Sequence, residues 1–132
     1  MTRLQQRSFR PAVFLEKMGA KCVIAEFREG RDICTQGHDG KEVFYIEKGQ
    51  VKVTVRSKRD KETVLAILHR GDYLGAGCMT GQAFLTATAT ALTPFRVLVI
   101  EKKEMRRALH NGHEFSDHFI ACLDGTSELK RT

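Results

Sequence analysis

The sequence predicts a mainly β domain of the α+β class: a double-stranded β-helix, or jelly-roll β-sandwich, with a short N-terminal helix and C-terminal helices. Three observations carry that prediction. Short apolar runs recur at close spacing between turn-forming residues from Cys22 to Ile100. Val51, Val53 and Val55 alternate with Lys52, Thr54 and Arg56, the period-two pattern of a strand with one buried face. Helical periodicity is confined to the two ends of the chain.

The elements run in order along the chain. Pro11 to Met18 fits one or two helical turns with Val13, Phe14 and Met18 on one side. Cys22 to Phe27 reads as a strand closed by Arg28-Glu29-Gly30-Arg31, and Asp32 to Thr35 as a second short strand before the loop Gln36-Gly37-His38-Asp39-Gly40. Val43-Phe44-Tyr45-Ile46 is a continuous apolar run ended by Lys48-Gly49, the pattern of a buried strand. The basic stretch from Ser57 to Lys61 is a hairpin tip, and Thr63 to Leu68 returns beside the valine strand. Arg70-Gly71-Asp72 turns the chain into Tyr73-Leu74. Thr86 to Ala91 alternates again, Pro94 punctuates, and Arg96 to Ile100 is the last strand.

From Glu101 to Leu109, Met105, Ala108 and Leu109 share a helical face, and Asn111-Gly112 is the stop signal. Ser116 is the expected N-cap of a second helix, with Phe115, Phe119 and Leu123 spaced i, i+4, i+8. That helix is expected to break at Asp124-Gly125 and leave a frayed tail. The organisation expected is therefore an arm and short helix over 1–20, a β-roll over 21–110, and the start of a C-terminal helix with its tail over 111–132.

Composition bounds the function. A chain of 132 residues holds one domain, and 42% hydrophobic with 29% charged residues is an ordinary soluble profile. No apolar run approaches the roughly 18 residues needed to cross a bilayer. Met1 to Arg7 is basic but has no apolar segment behind it, so no secretory signal and a cytoplasmic location are expected. The net charge of +6 comes from bases interleaved with acids, a solvated surface more than a nucleic-acid face.

Metal and catalytic patterns are missing. Cys22, Cys34, Cys78 and Cys122 lie far apart with no C-x-x-C pair, so neither a zinc site nor an iron–sulfur cluster is expected. Only His38 and His69 fall in the β region, too few and too separated for a cupin metal centre. His110 and His113 have a ligand-like separation, yet Gly112 between them marks a helix stop. No P-loop or nucleophile elbow occurs, and no enzymatic activity is expected.

The stretch from Phe27 to Leu109 carries a resemblance. Gln36-Gly37, the run Val43 to Val53 with Lys48-Gly49-Gln50 inside it, Gly71-Asp72-Tyr73-Leu74-Gly75, and Val99-Ile100 leading into the Glu101 helix resemble the cyclic-nucleotide-binding domain of Crp/Fnr-type regulators. Gly37, Gly49, Gly71 and Gly75 would each stand at a turn needing a positive φ or a close backbone approach. The resemblance implies a regulatory sensor of small ligands.

It also implies a phosphate-binding cassette: Gly-Glu, a short helix, then Arg and small residues, with Glu on the ribose hydroxyl and Arg on the cyclic phosphate. Here Gly75 matches, but Ala76 stands at the Glu position and Leu85 at the Arg position, followed by Thr86-Ala87. No Arg occurs between Arg70 and Arg96 and no Glu between Glu62 and Glu101, so no shift of register restores either. Only the backbone around Gly77 and Cys78 would survive. Two lost hydrogen bonds to charged groups, at about 1.5–3 kcal/mol each, weaken binding by roughly two to four decades. Cyclic AMP or cyclic GMP is thus a doubtful ligand, and the alternative is a nucleotide receptor with an unconventional pocket. Cys78 opens that short helix, where a thiol pKa can fall, but a small buried packing residue is the expected reading.

In the same family a long helix after the sensor forms the dimer interface and a helix-turn-helix then reads DNA. Phe115 to Leu123 resembles the start of that dimer helix, and its apolar face predicts a homodimer. The residues after Leu123 are too few for a DNA reader, so DNA binding by this chain itself is not expected. The effector is not named by the sequence, and no membrane partner is expected.

Overall fold

A computed structural model of the chain describes residues 10–81 and 83–131. Helix α1 (Pro11–Lys17) begins with proline at its first position, where the missing N–H has no helical partner to lose. Eight strands follow: β1 (Cys22–Phe27), β2 (Asp32–Cys34), β3 (Glu42–Lys48), β4 (Gln50–Arg56), β5 (Glu62–His69), β6 (Tyr73–Leu74), β7 (Thr88–Ala91) and β8 (Phe95–Glu101). A 3-10 helix (Ala76–Thr80) interrupts the strands, and α2 (Lys102–Asn111) and α3 (His113–Arg131) close the chain. Two four-stranded antiparallel sheets result, ordered β1-β8-β3-β6 and β2-β7-β4-β5.

The central strands of the first sheet, β3 and β8, are buried on both faces, which accounts for their continuous apolar runs. Phe44 and Ile46 of β3 and Phe95 and Val97 of β8 point between the sheets, with Val51 and Leu68 opposite. Val43, Leu98 and Ile100 point the other way, against Leu15, Met105, Ala108 and Phe115 of the helices. Each large side chain fully withdrawn from water contributes about 1.5–3 kcal/mol, so the two layers together supply most of the stabilisation.

Four details depart from the sequence reading. Alternation in β4 holds at Val51 and Val53 but lapses at Thr54, which is buried while Val55 is only partly so. The β4–β5 register slips there by one residue, leaving Leu65 without an opposite number. Ser116 is not an N-cap: α3 starts at His113, and the Ser116 N–H donates to the Gly112 carbonyl at 2.9 Å. α3 also continues through Asp124-Gly125, because one interior glycine costs only about 1 kcal/mol. Finally, Phe115 and Phe119 are not a free face; both are buried against the chain's own sheet. The Leu123 side chain lies outside the described residues.

Gly112 is the one break between α2 and α3, and its reason is steric. The Phe14 ring stacks on Phe115 at 5.2 Å and covers Gly112 so closely that a Cβ would enter the ring. Gly112→Ala is expected to cost about 1–3 kcal/mol, read as a thermal midpoint several degrees lower. In a Phe14→Ala background the same substitution should cost measurably less. Additive losses in the double variant would remove Phe14 as the cause.

Candidate functional site

The site is built where β6 leaves the first sheet. Asp72 accepts a hydrogen bond from the His69 N–H at 3.0 Å and shapes the turn into Tyr73-Leu74. Gly75 then takes a left-handed conformation at φ 72°, against the start of β3. A side chain there would place its Cβ 2.9 Å from the Glu42 carbonyl oxygen, so conformation and space both call for glycine. The 3-10 helix comes next, with the Cys78 N–H donating to the Gly75 carbonyl at 3.4 Å.

Ala76 and Met79 pack toward the helix-side core, and Cys78 is inside it. Burial raises the Cys78 thiol pKa, partly offset by the positive charge of Lys102, so the packing reading of this residue fits its surroundings. The chain returns past Leu85, whose backbone is held from both sides: its N–H donates to the His38 carbonyl at 2.7 Å and its carbonyl accepts from the Gly37 N–H at 2.8 Å. The Leu85 side chain is half-buried, Phe84 beside it is exposed, and Thr86 is exposed. Gly75, Ala76, Gly77 and Cys78 stand against the start of β3 and the helix-side core, while Leu85 and Thr86 lie in the segment held opposite Gly37-His38.

From Gly71 to Phe95 the only charged residue is Asp72. This segment thus offers backbone groups, apolar side chains and threonine hydroxyls, and the Lys102 charge that acts on Cys78 comes from outside it.

Gln36 does more here than its place in a turn suggested. Its side chain accepts from the Arg56 N–H at 2.8 Å and donates to the Arg56 carbonyl at 3.3 Å, and its N–H donates to Thr88 Oγ1 at 2.9 Å. It staples the loop that holds Leu85 to the end of β4. Nothing in the local sequence signals that contact, since Arg56 and Thr88 are distant in the chain.

Among the described residues no group of three or more His, Cys, Asp and Glu side chains is placed to hold a metal, and no helix is long and apolar enough to cross a membrane. His110 and His113 fall on either side of the Gly112 break, both exposed.

A family model described as cyclic nucleotide-binding domain matches residues 24–111. A curated relative, the CRP-like cAMP-activated global transcriptional regulator of Mycobacterium tuberculosis, is 24% identical over 107 residues, covering 81% of this chain and 47% of its own length. The chain thus spans about half the length of that relative. Among solved structures, the c-di-GMP responsive global regulator CLP of Xanthomonas campestris superposes with a TM-score of 0.80 at 13% identity, covering 91% of this chain and 61% of that one. The sensor domain of the transcriptional regulator DNR from Pseudomonas aeruginosa gives 0.72 at 20% identity, covering 92% and 81% respectively. These likenesses agree with the two-sheet roll and its flanking helices.

The thiols of the roll give a pH dependence. Burial pushes Cys34 from 9.0 up to about 11, and Cys122 likewise, with the Asp72 carboxylate adding to the rise. The folded state then holds protons that the unfolded chain releases first, so stability is complete below about pH 9 and declines toward pH 11. Denaturant midpoints measured across that window should fall, and by less in a Cys34→Ala variant. A flat profile would mean the thiols ionise freely in the fold.

Proposed function

The chain belongs to the cyclic nucleotide-binding domain family, and from that membership we propose that it is the regulatory small-ligand sensor and dimerisation module of a Crp/Fnr-like transcription regulator, with an effector other than cyclic AMP or cyclic GMP. One observation carries the reading. The corner at Gly75 keeps a left-handed glycine, a short helix and a tethered return strand, yet between Gly71 and Phe95 it has no cation and no acid besides Asp72. A cyclic phosphate brought to Leu85 would lose water and meet no positive charge from the segment Gly71 to Phe95 itself. That a protein of this fold is named for a response to c-di-GMP supports a sensor roll serving effectors beyond the mononucleotides.

The retained backbone favours a second reading, a nucleotide receptor that uses main-chain amides and the hydroxyls of Thr86 and Thr88. A thermal melt with cyclic AMP and cyclic GMP up to about 1 mM separates the two. No shift is expected for the natural chain. A ligand binding at about 10 μM would add about 2.7 kcal/mol and raise the midpoint by several degrees. The double variant Ala76→Glu, Leu85→Arg should gain such a shift, because it supplies the ribose acceptor and the phosphate partner on the existing scaffold. A shift in the natural chain would hand the lead to the receptor reading.

Dimerisation is assigned to α3. With Phe115 and Phe119 turned inward, the face left for a second copy centres on Ile120, which is 54% exposed. Sedimentation velocity at high micromolar concentration should give a dimer, and Ile120→Arg a monomer whose melt no longer depends on protein concentration. A monomeric natural chain would remove this part of the proposal.

A further inference from the structure

An open groove of about 630 Å³ lies where the start of β3 meets the start of α2. Lys41, Glu42, Glu101, Lys102, Lys103 and Arg106 line it. Its volume falls in the range of small-molecule sites, roughly 300–1,000 Å³. The backbone holds the two sides together: the Lys102 N–H donates to the Lys41 carbonyl at 3.0 Å, and Glu42 stands opposite Glu101 in the β3–β8 ladder.

Four cations against two carboxylates leave the lining with positive charge in excess. Glu101 lies 3.8 Å from Lys103, and Asp39, from outside the groove, lies 3.5 Å from Lys41. All four of these side chains are more than half exposed, so both pairs are weak. Glu104, the acid in the first turn of α2, is engaged by Arg107 at 2.9 Å and does not line the groove. Among the described residues no carboxylate forms an ion pair with Lys102 or Arg106. Those two stand four apart, on one face of α2, where like charges repel. Lys102 is also half-buried, which costs a charge that has no counter-ion. An anion bound to both removes the two penalties together.

The charge pattern narrows the ligand. The planar fork of Arg106 suits phosphate oxygens, and a diphosphate carries negative charge on both phosphates, so it engages Lys102 and Arg106 at once. A nucleic-acid strand or an acidic peptide, charged along its whole length, would meet Glu42 and Glu101 as well. We propose that this groove binds a diphosphate-bearing small molecule, with Lys102 and Arg106 as its main partners and Lys41 and Lys103 beside them. This binding is additional to whatever the Gly75 corner takes, since none of the six lining residues belongs to that corner. The two places adjoin through Glu42, whose carbonyl accepts from the Cys78 thiol at 3.9 Å and leaves no room for a side chain at residue 75. A ligand in the groove therefore acts on the strand that backs the 3-10 helix.

The test titrates the full chain with inorganic pyrophosphate by calorimetry, without magnesium and at low salt. One equivalent is expected to bind per chain, with affinity falling as salt rises. Lys102→Gln and Arg106→Gln should each weaken binding by about tenfold or more, the loss of one charge-assisted hydrogen bond. Lys58→Gln, which removes the same charge from the exposed hairpin tip, should leave binding unchanged. Adenosine and guanosine diphosphates run beside pyrophosphate. Tighter binding of either assigns the diphosphate to a nucleotide, and equal or weaker binding assigns it to the free anion. Absence of binding by pyrophosphate and both nucleotides overturns the inference. So does a loss no greater in the groove variants than in Lys58→Gln, or binding of polyglutamate or single-stranded DNA alone. All three variants replace exposed or half-buried side chains, and their thermal melts check the fold.

Discussion

Burial of the central strands of the first sheet on both faces is the constraint on which the rest of the structure depends. Strands β3 and β8 send alternate side chains into two different cores, so neither strand tolerates a polar face. The second sheet covers one side and the helices cover the other. The corner at Gly75 inherits its geometry from this arrangement. It lies against the first residues of β3, whose Glu42 carbonyl leaves no room for a side chain at residue 75. The helices inherit theirs as well: α3 lies where it does because Phe115 and Phe119 complete the outer core.

This arrangement separates what holds the scaffold from what could recognise a ligand. The left-handed glycine, the 3-10 helix and the backbone bonds from Leu85 to Gly37 and His38 are main-chain features. Their hydrogen bonds use no side-chain atom of residues 76 and 85, although Ala76 packs against the helix-side core. Recognition chemistry can therefore change in this corner with little effect on the fold. That is why family membership and the proposed absence of a mononucleotide effector are compatible.

Much of the fold was legible because it is written in local signals. Gly37, Gly49, Gly71 and Gly75 all take positive φ, as their places in turns implied, and the apolar runs at Val43 and Arg96 became the central strands. The corner was legible in outline for the same reason: its glycine, helix and small residues are consecutive. The features that were not legible depend on contacts between distant segments. Phe115 and Phe119 have the same spacing whether they face a second copy or the chain's own sheet. Only the packed sheet decides between the two. The start of α3 was misplaced because Ser116 is a good cap by type, while Gly112, pressed under Phe14, makes the break. The contact of the Tyr73 hydroxyl with His118 spans 45 positions and gave no local sign in the sequence.

The pairing of β1 with β8 has a consequence for synthesis. Glu26 on the first strand meets Arg96 on the last, 70 positions later in the chain. Strand β1 therefore leaves the ribosome without a partner. At about 5–20 residues per second, roughly 4–14 s pass before β8 has been made. During that interval Val23 and Ile24, exposed even in the finished fold, sit on an unpaired strand in a crowded cell. The rate of translation, not the rate of collapse, sets how long the first sheet stays open.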